Sequence, residues 1–436
     1  MKTTMGPTIW LIAVFFVVAA TSVGDLRMMP GSTEPSVAKQ TNARQPGLRH
    51  NLCPGEAIVL PYTIFLPPAP LQADILLAFD TTGSMNDVIE TTQARALEIM
   101  AGLQALIPDI RFGLIDFRDY AYFPYGRDDD WPYRLRQPLT ARQQTVQARI
   151  ADLEADGGAN EPESYSRALY EAYADNSIGW RDAARRFVVM FGDSYPHDDD
   201  LNAGIPPPQP YLPNQAWQSG SYPSPHQDPG RDAAESTSDD LDFQTVLSDL
   251  HDQAITLLFV MSATEPRLVD GPSNDAILIY WGIWAGMTGP GGDAQVLDDL
   301  DALPETIMSL VTTAIRRIDR LNIRVAPSWF EDWVVTDPPF YDNIEIPDEG
   351  IEQHFEMTVM APLDVPVGEY TFDLIAEADG IVYGRQQVEI VVDPACFFTP
   401  TSVPTPSPTW LPLPTPRPRE AHFLPYIANN RVNLSH

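Results

Sequence analysis

Between Asp74 and Ile318, short and nearly unbroken apolar runs alternate with longer amphipathic stretches, and few folds accommodate that pattern. The runs are Ile75–Phe79, Phe112–Phe117, Phe187–Phe191 and Ile255–Val260. Continuous apolarity suits parallel strands buried on both faces, because an open antiparallel sheet would show every second residue to water. Between the runs, Ile89, Ala96, Met100, Leu103 and Leu106 mark one helical face and Val146, Ile150 and Leu153 another. Further helices are expected at Tyr165–Tyr173, Leu241–Asp252 and Leu303–Ile318. The alternation predicts an α/β unit, a doubly wound and mostly parallel sheet, over residues 73–320. A long loop rich in Pro, Gly and Asp, 198–240, interrupts it.

After Asn322 the period changes to two. Ile323–Val325, Glu356–Val359, Tyr370–Ala376 and Val388–Val392 alternate in the manner of antiparallel strands, with turns at Pro366–Tyr370 and Ala378–Gly380. This predicts an immunoglobulin-like β-sandwich over 321–396. That length is short for seven strands, so Glu56–Leu60 and Thr63–Leu66, within 51–72, are expected to supply the missing ones. The α/β unit would then be an insertion in the sandwich.

The ends of the chain read differently. Residues 1–24 combine Lys2, an apolar stretch and small residues before Asp25, as a secretory signal does. An uncleaved anchor is the alternative, although the stretch is short for a bilayer span, and no other segment is long enough. Residues 25–50 lack periodicity and are expected to form a flexible leader. Residues 397–419, rich in Pro and Thr, predict an extended stalk with a reach of roughly 60 Å. The tail 420–436 is apolar around Phe423–Ala428 and suits either surface attachment or a merely sticky terminus. A secreted or surface-attached protein is expected.

Composition supports export and excludes one partner class. The net charge of −33, from 60 acidic and 27 basic residues, leaves no Lys/Arg cluster for nucleic acid. The only cysteines, Cys53 and Cys396, bracket nearly everything that looks folded. In an oxidising compartment they suggest one disulfide, with two free thiols as the alternative.

The loop Asp80-Thr81-Thr82-Gly83-Ser84 leaves the first apolar run. A carboxylate and two hydroxyls spaced two apart can converge on a hard cation such as Mg2+, though the same residues also cap helices. Asp119 and Asp193 each follow a predicted strand, and Gly157–Glu163 lies between helices, so three further acidic elements reach one sheet edge. As a set, these pieces resemble the metal-ion-dependent adhesion site (MIDAS) of von Willebrand factor A domains. Thr82 stands where the usual DxSxS loop has its first Ser. Glu163, in Asn160-Glu161-Pro162-Glu163, is similar to the integrin β pattern, where the common A domain uses a Thr.

The resemblance implies Thr82, Ser84 and Glu163 as direct ligands of Mg2+ or Mn2+, with Asp80 and Asp193 acting partly through water. It implies a neighbouring Ca2+ site from Asp119, Asn160, the Pro162 carbonyl and Glu163, weakened by Gly158 and Asn160 where the family has side-chain or acidic ligands. A third site would use Asp87, but Val88 replaces its second acid. The function implied is metal-dependent adhesion, in which a carboxylate on an extracellular partner completes the coordination shell, and no catalysis. Two other readings stay open. One is a structural surface protein whose loops a metal staples. The other is a secreted hydrolase built on Gly192-Asp193-Ser194, although no late DxxH accompanies it and no HExxH occurs. Asp128–Asp130 and Asp198–Asp200 are expected to be solvated acidic runs. The pairs Trp281/Trp284 and Trp329/Trp333 are expected to pack in cores or interfaces.

Overall fold

A computed structural model describes residues 44–158, 161–206, 227–262 and 272–397. The signal segment, most of the leader, Asn160, part of the long loop, the stalk and the tail lie outside the described residues. The chain opens with β1 (Arg44–Leu52) and β2 (Ala57–Leu66). It continues through β3 (Gln72–Asp80), α1 (Asn86–Leu106), β4 (Asp109–Phe117), β5 (Arg134–Thr140), α2 (Gln143–Ile150) and α3 (Tyr165–Ala174). Next come β6 (Arg185–Gly192), α4 (Phe243–Asp252), β7 (Ile255–Ser262), α5 (Asn274–Met287), β8 (Asp293–Leu297) and α6 (Leu303–Ile315). The last strands are β9 (Arg317–Ala326), β10 (Val334–Asp337), β11 (Phe340–Glu345), β12 (Ile351–Met360), β13 (Gly368–Ala378) and β14 (Ile381–Val392).

The fold is mixed α/β. Six strands form one sheet in the order β5-β4-β3-β6-β7-β8, all parallel except β5. One face packs α1, α2 and α6 in a core with Phe79, Phe112 and Phe191. The other face packs α3, α4 and α5 around Phe117, Phe259 and Trp281. Burial on both sides explains why β3 has eight of nine residues buried. Its one charged residue before the edge, Asp74, is satisfied by Arg181 at 2.7 Å. Strand order reverses between β3 and β6, and crevices at such points open at the carboxyl ends of the strands.

Three elements of this unit fall outside the predicted pattern. β5 is polar, and buried Asp116 of β4 holds it through Arg134 and Arg136, each at 2.8 Å. β8 is a five-residue edge strand. α5 is apolar on nearly every side, so it lacks an amphipathic stripe, and Trp281 and Trp284 within it are fully buried.

The remaining strands form a β-sandwich-like pair of sheets, β1-β14-β13-β9-β11 facing β10-β12-β2, with Tyr62, Leu321, Met357 and Val388 in the shared core. Where two strands are expected within 56–66, the structure has one, Ala57–Leu66. Pro61 is tolerated because β2 lies at a sheet edge, where a missing N–H faces outward. The leader is shorter than expected: β1 begins at Arg44, parallel to β14, and Arg49 bridges Glu369 and Glu389. Trp333 is buried as expected, but Trp329 is 74% exposed. Cys53 and Cys396 form a disulfide, Cα atoms 5.3 Å apart, joining the start of this unit to its end. Among the described residues, no helix is long and apolar enough to cross a membrane.

Candidate functional site

β3 delivers Asp80 to the carboxyl edge of the parallel sheet with no solvent exposure. There the chain turns through Thr81–Ser84 into α1. The turn is pinned from both sides. The Thr81 amide and hydroxyl both donate to the Phe117 carbonyl at the end of β4 (2.8 and 3.0 Å), and the Thr81 carbonyl accepts from the Asp156 amide at 3.0 Å. Asp80 Oδ1 accepts from the Thr82 amide (2.9 Å) and hydroxyl (2.6 Å), and Thr82 Oγ1 lies 3.4 Å from Ser84 Oγ. The three spaced oxygen donors therefore converge.

The other arm of Asp80 is held by a residue that sequence reasoning assigned only to a helix. Tyr165, at the start of α3 and fully buried, donates its hydroxyl to Asp80 Oδ2 at 2.7 Å. The Tyr165 hydroxyl oxygen in turn accepts from the Asp193 and Ser194 amides at 3.2 and 3.3 Å. One phenol thus ties the loop after β3 to the loop after β6. Gly192 makes room for it, since a Cβ there would stand 2.2 Å from the Tyr165 oxygen.

Glu163 reaches the cluster from the α2–α3 connection. Its backbone bridges to Pro196, its amide donates to the Tyr195 carbonyl at 3.1 Å, and the Ser194 hydroxyl donates to the Glu161 carbonyl. Trp281 of α5 secures this seam by donating to the Ser194 carbonyl at 2.7 Å. The Glu163 carboxylate lies beside Thr82. A Cβ on Gly158, whose φ is +72°, would fall 3.0 Å from Glu163 Oε1 and 3.1 Å from Thr82 Cγ2. Any side chain would wedge between the two, so glycine at 158 keeps them adjacent.

The electrostatics are those of an acidic group without a counter-ion. Burial, then the neighbouring Asp193 charge, pushes the Asp80 carboxyl up to about 7, against the Thr82 hydrogen bonds. Burial also drives Glu163 well above the usual carboxylate range, followed by the charges of Asp119, Asp80, Asp193 and Asp130. Glu163 Oε2 is buried with no hydrogen-bond partner. No described Lys, Arg or His is ion-paired to Asp80 or Glu163. An oxygen-only set of this kind fits a hard divalent cation, while a soft metal would require Cys or His.

The companion sites fare differently. Asp119 does reach the same edge, but its carboxylate already accepts from His197 Nε2 (3.0 Å to each oxygen), the Ser164 hydroxyl (3.0 Å) and the Tyr120 amide (2.7 Å). Buried His197, four residues beyond Asp193, escaped sequence reasoning because its partner lies 78 residues away. Pro162 is buried nearby, and Asn160 lies outside the described residues. Asp87 is exposed on the first turn of α1, and Val88 beside it belongs to the core. Two acids expected to be solvated are not. Asp130 accepts from the Arg127 and Gly158 amides (2.7 and 3.0 Å), and Asp198 from those of Asp200 and Phe243 (2.8 Å each). Ligand oxygens of Asp198, Asp200 and Asp242 lie within 4.8 Å of one another.

Comparison with known proteins finds no matching family model and no matching curated protein. Among solved structures, two crystal structures of the pilus adhesin SpaC from Lactobacillus rhamnosus GG superpose on 77% of this chain. They do so at 12% and 11% identity with TM-scores of 0.37 and 0.36. The chain spans less than half of those adhesin chains, 46% and 45% of their length.

Proposed function

We propose that this protein is an exported, divalent-cation-dependent binding protein of the von Willebrand factor A type, with an integrin-β-like MIDAS, rather than an enzyme. The observation that carries this reading is the buried, unpartnered Glu163 oxygen beside Asp80, Thr82, Ser84 and Asp193. Thr82, Ser84 and Glu163 would hold Mg2+ or Mn2+ directly, with Asp80 and Asp193 oriented behind them. A bound cation supplies one thing here, an electrophilic position that a carboxylate on an extracellular partner completes.

The chain's own residues prepare that position. Tyr165 and Thr82 fix both oxygens of Asp80, and neutral hydroxyls rather than further carboxylates face the half-buried Ser84 side, so charge remains for an incoming acid. Asp119 would serve a neighbouring Ca2+ only if His197 released it. The hydrolase reading has less support, because the Ser194 hydroxyl is buried and donates to a backbone carbonyl.

The test is a screen of immobilised matrix proteins and glycans in Mg2+, in chelator, and with Asp80→Ala. Binding in Mg2+ that disappears in both other arms is expected, and undiminished binding by Asp80→Ala in chelator refutes the reading. A second reading, a metal that only staples the loops, is favoured by the depth of Asp80 and Glu163, 0% and 5% exposed. Chelator-sensitive stability without any metal-dependent binding would establish it instead.

A further inference from the structure

A cleft of about 630 Å3 opens where the sandwich meets the amino ends of the parallel strands. One wall is the end of β2 and the residues after it, with Phe65 and Leu71 46% and 41% exposed into the opening. The other wall is the beginning of β14, Ile381–Gly384. β13 pairs β14 along its whole length. On the opposite edge, β1 pairs it only from Arg385 onward, where Arg44 is its partner. Among the described residues, no strand covers that edge of Ile381–Gly384. An unpaired edge beside an apolar cleft is a template for an extended peptide.

The direction of β1 identifies the peptide. β1 runs parallel to β14, so the residue before Arg44 must lie about 3.8 Å from it, at the rim of the cleft. The chain upstream supplies Leu26, Met28, Met29, Pro30 and Val37, apolar residues in an otherwise polar segment. The stretch after Phe397 starts beyond the opposite end of β14, roughly 36 Å from Ile381 at about 3.3 Å per residue. We propose that the segment 25–43 occupies this cleft, its last residues extending β1 along the free edge of β14. In that register Ala43 faces Gly384, Asn42 faces Tyr383, Thr41 faces Val382 and Gln40 faces Ile381. The cleft is lined by Asp182 and Ala183 from the α/β unit and by Arg324 and Glu377 from the sandwich. The segment therefore clasps the junction of the two units, independently of any metal.

The full chain carrying p-benzoylphenylalanine in place of Leu71 is irradiated, digested and analysed by mass spectrometry. An intramolecular adduct to a peptide within 25–43 is expected, with the same result when the probe replaces Phe65. The adduct should fall at least tenfold in a Thr41→Pro/Asn42→Pro variant, which removes ladder N–H groups of both parities. An adduct to residues 398–436, an adduct to a second copy, or no adduct at either probe position overturns the proposal. So does an adduct that the proline variant leaves undiminished.

Discussion

If the proposed cation sits at Glu163, Glu163→Gln has an unusual expected signature, because the residue is then unfavourable to the metal-free fold and favourable to the loaded one. In chelator at pH 7, Glu163 is a buried acid facing four other carboxylates, with Oε2 unpartnered. Burial and those charges hold its carboxyl well above the usual range, so at pH 7 folding must either take up a proton or bury a charge, and an isosteric amide needs neither. The variant should therefore be more stable than wild type in chelator. In Mg2+ the ranking changes. A cation present at 100 times its Kd stabilises the folded state by about 2.7 kcal/mol, which for a unit of this size raises Tm by about 5–10 °C. The variant lacks a ligand and should lose most of that rise. Calorimetric melting of both proteins, with chelator and across a Mg2+ titration, reads the four values. A variant less stable than wild type in chelator, or one that keeps the full Mg2+ shift, would refute the placement of the cation at Glu163.

Three further outcomes are expected. Tyr165→Phe should cost about 2–4 kcal/mol in urea melts, because it strands the half-buried Asp193 amide and the buried Ser194 amide and frees Asp80 Oδ2, and it should also weaken Mg2+ binding by calorimetric titration. Replacing both cysteines by Ser opens a loop that spans 343 residues, which the chain-entropy model values at no more than roughly 6 kcal/mol, and the sandwich should melt first. Asp228 is held up at about 6 by burial, against an ordinary 3.8. Its contribution is therefore present in full below about pH 3.8 and is lost as pH rises to about 6. Asp228→Asn, which keeps an acceptor for the Tyr120 hydroxyl at 2.5 Å, should flatten the pH dependence of stability in that window by up to about 3 kcal/mol.

What could be read in advance followed from how completely an element is buried. β3, β4, β6 and β7 announce themselves because water reaches neither face. β5 does not, since Arg134 and Arg136 lie on it to satisfy Asp116, and α5 does not, since its outward residues Leu278, Ile279 and Ile283 are as apolar as the face packed on the sheet. β1 does not either, because it combines charged residues with Pro46 and Gly47, where its register shifts. At the site, Asp80, Thr82 and Ser84 lie close in sequence and were legible as a loop. The hydroxyl of Tyr165 and the imidazole of His197 acquire their roles from partners 85 and 78 residues away, through contacts that local spacing does not encode.

The disulfide has a mechanical consequence. A pull entering after Cys396 and leaving before Cys53 crosses one covalent bond, so the 342 residues between them bear none of it. A pull applied between the sheet edge at Asp80 and the chain beyond Cys396 takes a different route. It leaves the α/β unit through two connections at once, one after β2 and one between α6 and β9, and they share the load. The sheet edge that carries Asp80 can thus be held under tension without either connection bearing the force alone.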